Sequence, residues 1–122
     1  MLIANFRLQI EMKKRVVLYN PQASFFTMPL ALVAIGSRLD PARYDVRIVD
    51  GRLETAPTAA VLNEIDDRTV CVGMTVLTGA PIRDALRVTA AIRRYRPGLP
   101  IVWGGWHPSL FPAETLAEAQ VD

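Results

Sequence analysis

The sequence predicts an α/β protein with a doubly wound, mainly parallel sheet. Three observations support this class. Short apolar runs alternate with helical segments four times, the runs are rich in β-branched residues, and breaks containing proline or glycine separate them. The 122 residues fit one domain, and no apolar run approaches the ~18 residues of a membrane span. The net charge is only +2 and the basic residues are scattered, which argues against nucleic-acid binding. The chain has a single cysteine, which excludes an internal disulfide.

Four short apolar runs are the predicted strands. The second keeps Asp45 and Arg47 on one face, which is typical of an edge strand, whereas the third is apolar on both faces and is expected to be central. Cys71, within the third, is expected to be a buried small hydrophobe. The four runs are RVVLYN (15–20), YDVRIVD (44–50), TVCVGMT (69–75) and IVWGG (101–105).

Four further segments have the length and composition of helices. They are 29–39, 58–66 with Thr58 as N-cap, 81–95 and 112–119. The segment 81–95 is the clearest, with an inner stripe of Ile82, Ala85, Leu86, Thr89 and Ile92 and with Arg83, Arg87 and Arg94 pointing outward. Right-handed connections place helices on both faces, which gives a flavodoxin-like or Rossmann-like three-layer sandwich with strand order 2-1-3-4.

Both ends of the chain affect the domain assignment. Phe6, Leu8, Ile10 and Met12 alternate with polar residues, so residues 1–12 are either an extra strand or a leader, of which residues 1–11 would precede a natural start at Met12. A fifth strand would begin near position 121. We therefore expect residues 13–122 to be the N-terminal domain of a longer protein, truncated before or at its fifth strand.

Ligands of open α/β sheets bind where the strands end. The first loop has no glycine, which argues against a dinucleotide or phosphate-loop site, and no cysteine cluster or paired histidines could hold a metal. The third strand ends in Thr75 and its loop adds Thr78, while the fourth ends in Gly104 and Gly105. Small residues and hydroxyls at these points leave a slot in which a flat ligand could lie against backbone.

Three stretches of the sequence resemble the N-terminal cobalamin-binding domain of cobalamin-dependent radical SAM enzymes. They are VVLYNPQ, YDVRIVDGR and VGMTVLTGAPIRDALRVTAAIRRYRPGLPIVWGGWHPSLFPAETL. That group includes methyltransferases and proteins similar to the anaerobic magnesium-protoporphyrin IX monomethyl ester cyclase. The resemblance covers about residues 13–122, and GGWHPSLFPAETL is its most specific part. It implies that the cobalamin domain is not an enzyme by itself, and the single cysteine fits a cytoplasmic protein. A radical SAM domain in cis would hold the iron–sulfur cluster and S-adenosylmethionine.

The resemblance also implies which residues bind the cofactor. Thr75-Val76-Leu77 stands where related corrinoid domains have Ser-x-Leu, and Gly104-Gly105 stands where they have Gly-Gly, so the nucleotide tail would enter this slot. The histidine motif of the first loop is missing, which implies base-off cobalamin with no protein imidazole on cobalt. The implied cofactor-binding residues are Asn20, Thr75, Val76, Leu77, Thr78, Gly79, Gly104, Gly105 and Trp106.

Several interpretations stay open. His107 lies after the fourth strand, roughly 10 Å to the side of the first, so we expect it to fix its loop or face a neighbouring domain rather than ligate cobalt. Trp106 and Phe111 either cover the corrin, meet the catalytic domain or pack locally. Arg52 either touches a corrin amide or phosphate or is solvated. The alternative function is a structural domain that docks on the catalytic domain and holds no corrinoid.

Overall fold

The computed structural model describes residues 13–25, 27–118 and 120–122. Its sheet has four parallel strands in the order β2-β1-β3-β4, so the predicted order, the edge position of the second strand and the internal position of the third are confirmed. The predicted extra strand at 1–12 lies outside the described residues. The strands are β1 (Lys14–Asn20), β2 (Tyr44–Asp50), β3 (Thr69–Thr75) and β4 (Ile101–Gly104).

Among the described residues, five helices connect and follow the strands: α1 (Leu30–Ser37), α2 (Pro57–Glu64), α3 (Ala80–Tyr95), α4 (Trp106–Leu110) and α5 (Pro112–Ala117). Thr58 as an N-cap was wrong: α2 begins one residue earlier at Pro57, whose fixed φ suits the first helical position, and Ala56 precedes it. The short α4 was not predicted. Across the described residues, no helix is long and apolar enough to cross a membrane.

The larger core lies on the face of the sheet that α2 and α3 cover. The α3 stripe is confirmed, since Ala85, Thr89 and Ile92 are buried and the arginines expected to point outward are exposed. Val88 is also fully buried in this stripe. Each large aliphatic side chain buried here contributes about 1.5–3 kcal/mol, so this face supplies most of the fold's hydrophobic stabilisation. The sheet contributes Val17, Tyr19, Val49, Val72, Met74, Ile101 and Trp103 to this core.

The opposite face of the sheet is covered only in part. Leu32 is the buried residue of α1, and it packs with Val16 and Leu18 of β1. No helix among the described residues lies over β3 and β4 on this side, so Val70 and Val102 are 37% and 52% exposed. The sandwich is therefore complete on one face and open on the other.

The last described residues lie beside β4. The Asp122 N–H donates to the Ile101 carbonyl at 3.0 Å, and the Ile101 N–H donates to the Asp122 carboxylate at 2.8 Å. That N–H and the guanidinium of Arg93 lower the pKa of Asp122. Val121 is buried in the larger core. The chain thus returns to the outer edge of β4 at the point where the sequence predicted a further strand.

Candidate functional site

An apolar groove lies between α1 and the partly covered face of the sheet. Its volume is about 490 Å³, within the range of roughly 300–1,000 Å³ of small-molecule sites. It reaches the carboxyl edge of the sheet, where ligands of open α/β folds bind. The sheet side consists of Val16, Leu18, Tyr44, Val70, Cys71, Gly73, Met74, Thr75, Val102, Gly104 and Gly105, and the other side of Ala31, Leu32, Ile35 and Leu39. We call this the apolar groove.

Two glycines, which have no side chain, create part of the groove's space. A Cβ on Gly73, in the middle of β3, would lie 3.0 Å from Leu18 Cδ2, and so would fill the groove and press on its wall. A Cβ on Gly104 would meet only the Met74 carbonyl oxygen, at 3.9 Å, so this position has unused room. Both glycines therefore leave volume that a ligand can occupy, which is a recognised role of glycine within strands.

Gly105 has a different role, set by its backbone. Its φ of +94° lies in the region that favours glycine, and the chain turns there from β4 into α4. A Cβ at this position would lie 3.0 Å from Thr75 Oγ1 and 3.2 Å from the Val76 nitrogen. Glycine is thus required for the close approach of this turn to the end of β3.

Three of the predicted cofactor-binding residues meet in the apolar groove: Thr75, Gly104 and Gly105. The β3–β4 ladder pairs Thr75 with Gly104, and the Val76 N–H then donates to the Gly104 carbonyl at 2.8 Å. The two sequence motifs are therefore neighbours at the carboxyl edge. The hydroxyl of Thr75 is the polar side-chain group at this end of the groove.

The other predicted residues lie elsewhere. Val76 is fully buried in the core on the opposite face, and the buried amide of Asn20 donates to Asp50 at 3.0 Å. Leu77, Thr78 and Gly79 form the β3–α3 connection, where Gly79 has a φ of +108°. The side chain of Trp106 is 72% exposed. These positions surround the carboxyl edge but do not line the apolar groove.

His107 joins the loops that follow β3 and β4. Its Nδ1 lies 3.1 Å from the Thr78 hydroxyl, its backbone N–H donates to the Val76 carbonyl at 3.0 Å, and its ring packs 5.2 Å from that of Phe111. These are the contacts of a residue that orders its loop. In the ranges that the structure describes, no group of three or more His, Cys, Asp or Glu side chains could hold a metal ion.

The first loop is held from two sides. The buried carboxylate of Asp84 on α3 accepts hydrogen bonds from the Tyr19 hydroxyl and the Gln22 N–H, at 2.6 and 2.7 Å. On the other side, the Arg52 guanidinium donates to the Phe25 carbonyl at 2.6 Å and stacks 4.6 Å from the Phe25 ring centre. Arg52 therefore contacts the loop, a third outcome beside the two that the sequence left open.

Several lining residues were missed at the sequence level, among them Leu18, Ile35, Gly73 and Val102. Gly73 carried a usable signal, because an isolated glycine inside a strand often marks close approach of a ligand or backbone. The expectation that Cys71 is buried was wrong in degree: it is half-buried and faces the groove, because α1 does not reach over it. Burial still raises the pKa of its thiol, which favours the neutral form.

Comparison with known families gives one finding. Residues 17–122 match the family model described as "B12 binding domain". The matched range contains all of the residues of the apolar groove except Val16. No curated protein and no solved structure gave a significant match.

Proposed function

Because the chain belongs to the B12-binding domain family, we propose that it binds cobalamin, with the nucleotide tail detached from cobalt and placed in the apolar groove. The observation that carries the proposal is the groove itself, an apolar cleft that opens at the carboxyl edge between Thr75 and Gly104. Its open end lies at the carboxyl edge, where ligands of open α/β sheets bind. Its volume suits an aromatic base with part of its sugar.

The residues present fit this group. Gly73 and Gly104 leave the space that a planar base needs, and Gly105 allows the β4–α4 turn to close against β3. Leu18, Leu32 and their neighbours offer carbon surface to the ring, and the Thr75 hydroxyl offers one hydrogen bond at the groove's end. When bound, cobalamin supplies cobalt chemistry for moving one-carbon groups or for redox steps. The role of this chain is to hold and orient it.

The proposal includes a cobalt without a protein imidazole. The sequence from Asn20 to Thr27 contains no histidine, and the one histidine of the chain is His107. Its Nδ1 already faces Thr78, in the loops that follow β3 and β4. Both observations support a cobalt that no histidine of this domain ligates, whereas the detached base rests on the resemblance and on the room in the apolar groove.

We propose further that the domain works beside a radical SAM domain in cis, in a reducing cytoplasm. This context is supported by the resemblance of GGWHPSLFPAETL to the radical SAM group and by the free thiol of Cys71. The iron–sulfur cluster and S-adenosylmethionine would belong to that second domain, with methyl transfer or ring formation as its reaction. Sequencing the complete reading frame tests this: a Cys-x-x-x-Cys-x-x-Cys motif downstream supports it, and a frame without one refutes it.

Cobalamin binding is tested directly with the 122-residue chain. The protein is mixed with hydroxocobalamin, desalted, and examined by visible absorption. We expect retained corrinoid with a base-off spectrum. A retained base-on spectrum would contradict the tail-in-groove arrangement, and no retention at all would favour the alternative, a structural domain without corrinoid.

A matched pair of variants locates the binding. Gly104→Leu would place a side chain into the apolar groove, where a Cβ has room, and we expect corrinoid affinity to fall more than tenfold without loss of folding. Gly98→Leu is the control, because Gly98 lies in the α3–β4 loop with no atom near its Cβ position, away from the groove. Equal affinities for the two variants would exclude the groove as the tail's site.

A further inference from the structure

The walls of the apolar groove offer almost no hydrogen-bonding groups. None of the described residues that line it carries a charge. The strand backbones behind it are engaged in the β1–β3 and β3–β4 ladders. The polar side chains that face it are Tyr44, Thr75 and the half-buried Cys71. The groove is therefore mostly a carbon surface with few polar groups.

A base that enters such a groove loses water and regains few hydrogen bonds. A dimethylbenzimidazole ring has one free ring nitrogen once it leaves cobalt, and its methyl groups add apolar surface. Adenine has several ring nitrogens and an exocyclic amine, each of which needs a partner. Unpaired polar groups in an apolar site are costly, so the two bases differ in how well the groove accepts them.

We propose that the apolar groove selects the corrinoid by the polarity of its nucleotide base, and that it takes benzimidazole-type bases in preference to purines. This inference rests on the proposed function and adds to it the class of corrinoid that the domain accepts. Discrimination by an apolar pocket against an added polar group is limited, about 10- to 100-fold in comparable sites. We expect a preference of at least about tenfold for the benzimidazole form.

The test compares three corrinoids on the wild-type chain by equilibrium dialysis: cobalamin, the otherwise identical cobamide whose base is adenine, and cobinamide, which has no base. All three are used as dicyano forms, because excess cyanide removes the base from cobalt before binding. Differences in the cost of detaching the base then do not enter the comparison. Tighter binding of cobalamin than of the adenine form by about tenfold or more supports the proposal.

The other outcomes separate two kinds of failure. Equal or tighter binding of the adenine form overturns the selectivity. Cobinamide binding as tightly as cobalamin shows that no base occupies the groove, which also overturns the inference while cobalamin binding survives. Binding of none of the three would overturn the proposed function itself.

A pair of variants on α1 tests where the selectivity comes from. Ile35 lines the groove and is 55% exposed, whereas Val33 on the same helix is 49% exposed and does not line it. Ile35→Asn adds an amide to the wall, and we expect the preference for cobalamin over the adenine form to shrink several-fold. Val33→Asn should leave the preference unchanged. An unchanged ratio in Ile35→Asn would contradict selection by the apolar wall.

Discussion

The hydroxyl of Tyr19, at the end of β1, donates a 2.6 Å hydrogen bond to Oδ2 of Asp84 on α3. The same oxygen accepts the N–H of Gln22 at 2.7 Å. Tyr19 is fully buried and Asp84 nearly so. One carboxylate therefore connects β1, the first loop and the longest helix, on the face of the sheet opposite the apolar groove.

Removing the Tyr19 hydroxyl should destabilise the fold. Tyr19→Phe keeps the ring and deletes the donor, and we expect the free energy of unfolding to fall by about 2 kcal/mol, since a hydrogen bond to a charged group contributes about 1.5–3 kcal/mol. Urea denaturation at pH 7 measures the change. Tyr95→Phe is the control, because Tyr95 is 56% exposed, and its effect should stay within about 0.5 kcal/mol. Equal effects would contradict the role of the Asp84 contact.

The same residue should make stability sensitive to alkaline pH. Burial, the hydrogen bond to Asp84 and the nearby negative charge raise the pKa of Tyr19 in the folded protein. The stabilisation is therefore present below the unfolded-state pKa of about 10 and decreases as the pH rises above it. We expect the stability difference between wild type and Tyr19→Phe to shrink between pH 9 and pH 11, measured by urea denaturation at each pH. A constant difference would refute this.

Gly105 and Gly104 should respond differently to the same small change. Gly105→Ala imposes a Cβ on a backbone with φ of +94° and brings it 3.0 Å from Thr75 Oγ1. We expect a loss of about 2 kcal/mol in the free energy of unfolding from the left-handed conformation and crowding together. Gly104→Ala, whose Cβ would lie 3.9 Å from the Met74 carbonyl oxygen, should change it by less than about 0.5 kcal/mol. Thermal and urea unfolding of both variants decide whether Gly105 is structurally required.

An ion cluster at the amino end of the sheet should control acid stability. Arg15, with a side chain 10% exposed, lies 2.8 Å from Asp45 and 3.2 Å from Asp66. Burial acts to raise the pKa of both carboxyls, but their arginine neighbours outweigh it and lower both pKa values. Their stabilisation is thus present above the unfolded-state pKa of about 3.9 and is lost as the pH falls below it.

Arg15→Met removes the most buried of the three arginines in this cluster, Arg47 and Arg68 being the other two. We expect a loss of about 2 kcal/mol at pH 7, less than the ~3–5 kcal/mol of a fully buried pair, because the two carboxylates are 23% and 36% exposed. The variant should then lose less stability than wild type between pH 5 and pH 3, measured by urea denaturation. Parallel acid profiles for the two proteins would contradict a role for these carboxylates.

Replacing His107 should leave the coordination of the cobalt in bound cobalamin unchanged. Its side chain contacts Thr78 and Phe111, and these contacts order the loops after β3 and β4. We expect His107→Ala to retain corrinoid with the visible spectrum of the wild-type complex, even if the affinity falls several-fold as the loops loosen. A clear shift of the visible bands would show that His107 is a cobalt ligand.

The fold was largely predictable because it depends on patterns that a sequence displays directly. Alternating β-branched runs and helical segments gave the parallel sheet, and Asp45 and Arg47 marked the edge strand. The errors were local. Thr58 has a good capping side chain, yet Pro57 begins α2, and α4 follows from the turn at Gly105 rather than from any helical periodicity.

The candidate site was predictable only at its carboxyl end. Thr75, Gly104 and Gly105 sit where strands end, and strand ends can be read from sequence. The walls of the groove could not be predicted from the sequence, because Leu18 and Ile35 look like ordinary core residues. Their exposure to the groove depends on how far α1 extends across the sheet, which is a property of tertiary packing.

The walls of the apolar groove come from four separate parts of the chain, around Leu18, Leu32, Gly73 and Val102. An unfolded chain scatters these segments, so a ligand of the groove binds only the native state. By mass action such a ligand adds about 2.7 kcal/mol to stability when its free concentration is 100 times its Kd. A corrinoid held there would therefore also act as a folding ligand, and the domain's resistance to heat and proteolysis would follow the supply of its cofactor.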